Sequence, residues 1–386
     1  MSFYIYNMIT YFVVLIFFQQ SLLLVNSIEL NNKLLHPLPS YEVGIKTSNL
    51  QRSVDKENNP ETIKSPPRDT LCPASEDISP CVCIGEYSPL SMDCSNVTTE
   101  YQLRRIFTSH FPVTHFYMFN TFESPLTVLE SGVFGEVTFT HFKMEYGSLI
   151  QVENGALDNM YDTLEELWLV ENHIEVFPFE AIESFTKLKI LSIQNNWEHM
   201  SVLPVMVSGS LIELYLGKLT LGAVPVDAFQ GLPMIERIYL YSDKIPSIES
   251  GTFSHLTHLR VLDLSGNLLT HIPTEFVHSS DGLNNLTSIR LSNNQIEAVE
   301  AKAFDAVAGV GIHLFGNNIA TIDEEVWKPL FEVGLELDLS SNPLLCGCDI
   351  AWVVRNPGYL VQIKRAVKCA DGVYLHDLDP HMFNDC

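Results

Sequence analysis

Eight cysteines and thirteen histidines are the residues of this chain that could ligate a metal or carry redox chemistry. The cysteines form two groups, Cys72, Cys81, Cys83 and Cys94 near the start and Cys346, Cys348, Cys369 and Cys386 at the end. Each group holds one Cys-x-Cys pair and two more distant thiols. Such a set could bind tetrahedral zinc, but zinc ligand pairs are usually separated by about two to four residues. In an oxidising compartment the same thiols become disulfides, and four cysteines allow three connectivities. His115 and His141 stand in similar places in adjacent segments and could meet as stacked metal ligands. Residues of stacked segments resemble one another for structural reasons, so this similarity does not argue for a metal. The stretch "LDLSGN" from Leu262 lacks the Gly-x-Ser-x-Gly frame of a nucleophile elbow. No phosphate-cradling glycine loop is present, and Glu165 with Glu166 reads as solvated surface. No catalytic residue, cofactor site or metal site is assigned, and an enzyme is not expected.

The elements around these residues repeat. "LRVLDLSGNLL" from Leu259, "LEELWLVENHI" from Leu164, "LTSIRLSNNQI" from Leu286 and "LKILSIQNNWE" from Leu188 share one frame. Looser copies begin at Ile235, Leu211, Gly309 and Gly334, and degenerate ones at Phe139 and Val113. In this alignment one polar slot falls at Thr121, Gly147, Asn172, Asn196, Leu219, Asp243, Asn267, Asn294, Asn317 and Asn342, with gaps of 23 to 27 residues. That period lies within the roughly 20–29 residues of leucine-rich repeats. Each unit reads as a short strand, a turn and a return segment. One unit cannot bury its apolar side alone, so units stack into a solenoid with a continuous core. The bend after each strand leaves backbone groups facing that core, and an unpaired one costs about 1–3 kcal/mol. Asparagine carries both a donor and an acceptor and can satisfy them. Thr121, Gly147, Leu219 and Asp243 depart from asparagine, so the N-terminal half should be the less regular one. Leu219→Asn should cost little if its turn follows the path of the others.

Composition and order set the domains. Residues 1–27 contain "YFVVLIFF" and "SLLLV" and read as a signal peptide, although no Lys or Arg precedes the apolar run. Residues 28–71 are polar and proline-bearing and read as a flexible leader. A cysteine-rich cap over 72–100, about ten repeats over 101–342 and a second cap over 343–386 complete the chain. All cysteines lie in the caps, which cover the open ends of the solenoid core. The net charge of −25 repels polyphosphate, so nucleic acid is not expected as a partner. No second apolar run of about 18 residues could span a bilayer. The sequons at Asn96 and Asn285 fit a secreted glycoprotein. The insertion "HSSDGLNN" before Asn285 should bulge outward near Asp281.

What remains is a surface. Residues between buried strand leucines face the concave side of the sheet. That lane is expected to hold Tyr117, Lys143, Trp168, Ser192, Tyr215 and Tyr239, followed by Asp263, Arg290, His313 and Asp338. The next row contains Phe119 and Tyr241. Aromatic residues favour strands in any case, but exposed Trp and Tyr are also enriched at binding hot spots. Tyr117, Trp168, Tyr215, Tyr239 and Tyr241 are therefore the candidate contacts for a protein partner.

The opening "CPASEDISPCVC" with Cys94, and the irregular early repeat "FKMEYGSLIQVENGAL", resemble a family of secreted arthropod leucine-rich-repeat proteins. That family is named for the oplophorus-luciferin 2-monooxygenase non-catalytic subunit. The resemblance covers about Cys72 to Cys386. It implies an α/β horseshoe solenoid, right-handed, with a parallel sheet on its concave face. It also implies a secreted accessory protein without oxygenase chemistry of its own. "NPLLCGCDIAW" is similar to an extracellular repeat C-cap with Trp352 plugging the core. The resemblance implies the pairings Cys72–Cys83, Cys81–Cys94, Cys346–Cys369 and Cys348–Cys386. Alternative functions are a soluble receptor-like or innate-recognition protein and an extracellular-matrix organiser.

Overall fold

The computed structural model describes residues 71–85, 89–196, 202–278, 285–304 and 308–386. The signal segment, the leader up to residue 70 and the insertion around Asp281 lie outside them. The strands are β1 (Val82–Ile84), β2 (Ser91–Asp93), β3 (His115–Phe122), β4 (Val128–Leu129), β5 (Thr138–Glu145), β6 (Gln151–Val152), β7 (Glu166–Val170) and β8 (Ile190–Ser192). They continue as β9 (Glu213–Tyr215), β10 (Arg237–Tyr239), β11 (Val261–Asp263), β12 (His271–Ile272), β13 (Ser288–Arg290), β14 (Ala298–Val299), β15 (Gly311–His313) and β16 (Glu336–Asp338). Twelve of them make one sheet in the order β1-β2-β3-β5-β7-β8-β9-β10-β11-β13-β15-β16. Only β1–β2 is antiparallel; every later pair is parallel and in chain order. The chain is a leucine-rich-repeat solenoid.

The register explains the apolar frame. Leu214, Ile238, Leu262, Ile289, Ile312 and Leu337 pair across successive strands and all have no exposure. Their strand neighbours on either side point outward, as the period of two requires. A second column lines the return segments. Phe229, Phe253, Phe276, Phe304 and Trp327 follow one another with ring centroids 5.5–6.2 Å apart. These are the aromatic residues of "DAFQGL", "GTFSHL", "TEFVHS", "KAFDAV" and "EVWKPL". The core is thus closed from both sides, by aliphatic strand residues and by stacked rings.

The asparagines form the inner column. Asn172, Asn196, Asn267, Asn294, Asn317 and Asn342 are all buried. In each, Nδ2 donates to one carbonyl in the preceding repeat and at least one in its own. Asn267 donates to Leu240 O at 2.7 Å and Leu264 O at 2.9 Å, and Asn294 to Leu264 O and Leu291 O. The Oδ1 atoms accept backbone N–H groups from the preceding turn, Leu149 for Asn172, Ile174 for Asn196 and Leu269 for Asn294. Directly before each slot the backbone is left-handed. Glu171, Asn195, Lys218, Ser242, Gly266, Asn293, Gly316 and Ser341 have φ between 54° and 72°.

That left-handed column corrects the frame of the first repeat. Glu123 and Tyr146 continue it, so the slot before Gly147 is Ser124, not Thr121. Ser124 Oγ accepts from Leu126 N and donates to Val97 O, and its carbonyl receives Ser148 N. Thr121 lies within β3, opposite Met144, and faces the core. Phe119 is likewise buried, opposite Phe142, with their rings stacked at 4.6 Å. Phe116, Phe119 and Phe122 are three apart, a spacing that fixes no alternation, and pairing with β5 selects the phase. The path at Leu219 and Asp243 also differs from the rest. There Thr220 and Lys244, the residues after the slot, are left-handed as well.

Both ends are closed by cysteines. Disulfides join Cys72 to Cys83 and Cys81 to Cys94 at one end, and Cys346 to Cys369 and Cys348 to Cys386 at the other. Trp352 is partly buried in the second cap, its ring against Phe331 and Tyr359, and its Nε1 donates to Ile322 O.

Candidate functional site

The face of the sheet opposite the core carries the candidate residues. The residues one past the buried strand leucines are in register as Lys143, Trp168, Ser192, Tyr215, Tyr239, Asp263, Arg290, His313 and Asp338. The register sets Asn120, not Tyr117, opposite Lys143. Tyr117 therefore stands outside this lane, three residues nearer the strand start. It is exposed and its ring lies 4.4 Å from that of His141.

Within the lane the aromatic rings touch. Tyr215 and Tyr239 stack in parallel at 4.4 Å, and Trp168 lies 5.7 Å from Tyr215 although β8 runs between them. The intervening residue is Ser192, fully buried, whose small side chain lets the two larger rings close above it. Lys143 Nζ lies 5.3 Å from the Trp168 ring centre, within cation–π range. All three rings are half-exposed.

Neighbouring carboxylates fix the polar ends of two of these rings. Trp168 Nε1 donates to Glu166 Oε2 at 2.9 Å, and Tyr215 OH donates to Glu213 Oε2 at 2.5 Å. The other Glu213 oxygen accepts from Arg237 Nη1 at 2.5 Å. Burial, with the Glu213 hydrogen bond and charge behind it, pushes the Tyr215 hydroxyl well above its ordinary pKa. Two of the three rings are thus held in place from one side.

Tyr241 belongs to the next row and crosses it. Its hydroxyl donates to Gln194 Oε1 at 2.5 Å, two repeats back. The ring passes over Gly217, where a Cβ would lie 2.5 Å from it. Burial and the nearby charges of Asp243, Asp263 and Glu171 raise the Tyr241 pKa to about 12. Sequence reasoning found Tyr241 but not its support, because nothing in the pattern marks Gly217 and Gln194 as its partners.

Beyond Tyr239 the lane becomes ionic. Arg290 Nη1 lies 3.4 Å from Asp263 Oδ2, and Lys364 Nζ lies 3.4 Å from Asp338 Oδ2. Burial, and then the Lys364 and Arg290 charges, lower the pKa of His313.

The histidines proposed as a stacked pair are not in equivalent positions. His115 pairs with Thr138 across the sheet, whereas His141 pairs with Met118. The His115 ring nitrogens meet the hydroxyls of Thr138 and Thr140, and those of His141 meet Tyr117 O and Glu166. Among the described residues no group of three or more His, Cys, Asp or Glu could hold a metal ion. No described helix is long and apolar enough to cross a membrane. Asn96 and Asn285 are both exposed.

Known proteins can now be compared with this geometry. The leucine rich repeat family matches residues 209–269. The Oplophorus-luciferin 2-monooxygenase non-catalytic subunit of Oplophorus gracilirostris is 35% identical over 325 residues, 83% of this chain and 89% of that protein. Keratocan of Danio rerio is 33% identical over 185 residues, 47% of this chain and 51% of keratocan. Among solved structures, a chain of the octameric complex of Latrophilin 3, Unc5D and FLRT2 aligns over 75% of this chain and 88% of its own length. Its TM-score is 0.58 at 22% identity, a likeness of fold.

Proposed function

The chain belongs to the leucine-rich-repeat family represented by the Oplophorus-luciferin 2-monooxygenase non-catalytic subunit, and on that premise we propose that it is a secreted, non-catalytic accessory subunit that holds a protein partner. The partner rests on the open, concave face of the sheet, against Trp168, Tyr215, Tyr239 and Tyr241, with Tyr117 at the margin. The observation that carries this reading is the contiguous, half-buried strip of rings over the buried Ser192. Exposed aromatic rings already fixed by neighbours give contact area at little cost in conformational entropy, and Trp and Tyr dominate binding hot spots. The Asp263, Arg290 and Asp338 side of the lane supplies charge that sets orientation rather than most of the affinity. The two exposed sequon asparagines are the proposed glycan sites. No residue of the strip is assigned to catalysis, and no metal or cofactor is required.

The test is capture of the partner from native secretions by wild type and by the Trp168→Ala/Tyr239→Ala variant, with identification by mass spectrometry. Neither side chain faces the core, so the variant should fold. Its affinity should fall by about 2 kcal/mol or more, roughly thirtyfold. Full partner capture by a folded double variant would place the contact elsewhere. Recovery of collagen or of microbial glycans in place of a polypeptide subunit would favour the matrix or recognition alternatives.

A further inference from the structure

The asparagine column contains one carboxylate. Asp243 occupies the slot between Leu219 and Asn267 and has no exposure. Its Oδ1 accepts from Leu219 N at 2.6 Å, the slot residue of the preceding turn, as Asn267 Oδ1 accepts from Asp243 N. Its Oδ2 is buried and has no hydrogen-bond partner. In the asparagine rungs the matching atom is Nδ2, which donates to the carbonyl three residues before the preceding slot. Met144 O serves Asn172, Leu240 O serves Asn267 and Leu264 O serves Asn294. By the same count, the carbonyl three residues before the slot at Leu219 is that of Leu216. A carbonyl offers lone pairs only, and an ionised carboxylate has no proton to give it.

We propose that Asp243 is a proton-bearing rung of the asparagine column, with Oδ2–H in place of an amide N–H, so that the middle repeats are held by a proton and loosen when it leaves. Ionisation releases that proton to solvent and leaves a buried anion whose Oδ2 has no hydrogen-bond donor. The side chains of the turns on either side offer no compensation: Leu219 has no polar side-chain atom, and Asn267 already uses Oδ1 on Asp243 N and Ile245 N. The surrounding charges are accounted for. Lys218 from the preceding turn and Lys244 from its own are exposed. Tyr241 and, on the next strand, Asp263 lie on the sheet side, and both Asp243 and Asp263 raise the tyrosine rather than lower the acid. Burial pushes the Asp243 carboxyl up to about 7, against the backbone N–H groups of Leu219, Thr220 and Lys218, and no charged side chain contributes.

The sign follows from this. The folded chain binds the proton more tightly than the unfolded chain, whose aspartate has the ordinary value of 3.8. The extra stability is complete below that value and is lost as pH rises to about 7, after which it is level. Asp243→Asn supplies a permanent donor of the same shape. The ratio of unfolding constants, wild type over Asp243→Asn, should grow up to tenfold per pH unit between about pH 4 and 7 and then flatten. Parallel pH profiles for the two proteins would overturn the proposal. Infrared difference spectra of folded wild type against the variant supply a reading that needs no unfolding. One protonated carboxyl should be present at pH 5.5 and absent above about pH 8. An ionised Asp243 at pH 5.5 in folded protein would also overturn it. The inference does not depend on the partner-binding reading.

Discussion

At the scale of single residues, the inner column shows why one side-chain amide recurs where apolar residues surround it. Asn267 serves four backbone groups: it accepts from Asp243 N and Ile245 N and donates to Leu240 O and Leu264 O. Asn294 likewise serves Leu269 N, Leu264 O, Leu291 O and Ser292 O. Asn267→Ala and Asn294→Ala should each cost about 1–3 kcal/mol, because each strands buried groups without water. Urea midpoints check this, and a wild-type midpoint in both variants would refute the column as the source of stability. Leu219 is a different case. Its flanking residues Lys218 and Thr220 are both left-handed, and its own N–H is already taken by Asp243. An asparagine there meets a backbone path unlike that of the other rungs, so the condition for a mild Leu219→Asn substitution is not met.

At the scale of elements, the sheet changes along its length. Strands β3 and β5 have eight residues, β7 has five, and those from β8 to β16 in the main sheet have three. The early half is packed with rings, each of Phe107, Phe119, Phe134, Phe139 and Phe142 lying 4.6–6.2 Å from at least three of the others. The later half is aliphatic on the strand side. The aromatic strip lies where these regimes meet, and it depends on small residues between large ones. Gly217→Ala tests this. Its Cβ would stand 2.5 Å from the Tyr241 ring, so the ring must leave Gly217 and give up its bond to Gln194. Released from burial, Tyr241 should titrate below its present value of about 12, nearer its ordinary value. Alkaline difference titration of Gly217→Ala against a Tyr241→Phe control measures it. An unchanged late-titrating tyrosine would mean that the ring is accommodated where it is.

At the scale of the whole solenoid, stability depends on closing two ends. The core of each repeat is covered by its neighbours on either side, so an uncapped terminal repeat leaves its core open. Each cap is tied by two disulfides. The longest closed loop, Cys348 to Cys386 with a separation of 38 residues, corresponds to roughly 4 kcal/mol on a chain-entropy account. Reducing agent should therefore lower the melting temperature of the mature protein strongly, and a chelator should leave it unchanged. A large loss on chelation alone would demand a metal that the cysteines do not hold.

The sequence by itself determined the repeat, its period of 23–27 residues, the apolar strand positions and the asparagines from Asn172 onward. It did so because a stacked solenoid sets the same burial problem in every turn, and the same residue solves it each time. It also set the cysteines apart at the two ends. Only the tertiary structure decided the first repeat, where Phe116, Phe119 and Phe122 suit more than one phase and pairing with β5 chose among them. That pairing moved the slot from Thr121 to Ser124 and took Tyr117 out of the Trp168 lane. Likewise, the bridge of Tyr241 over Gly217 to Gln194 joins residues 47 positions apart, and the unpaired Oδ2 of Asp243 depends on burial by neighbouring turns. Periodicity reports what each turn needs from its own residues. Contacts between unlike turns are set by distances across the sheet, which one sequence period does not encode.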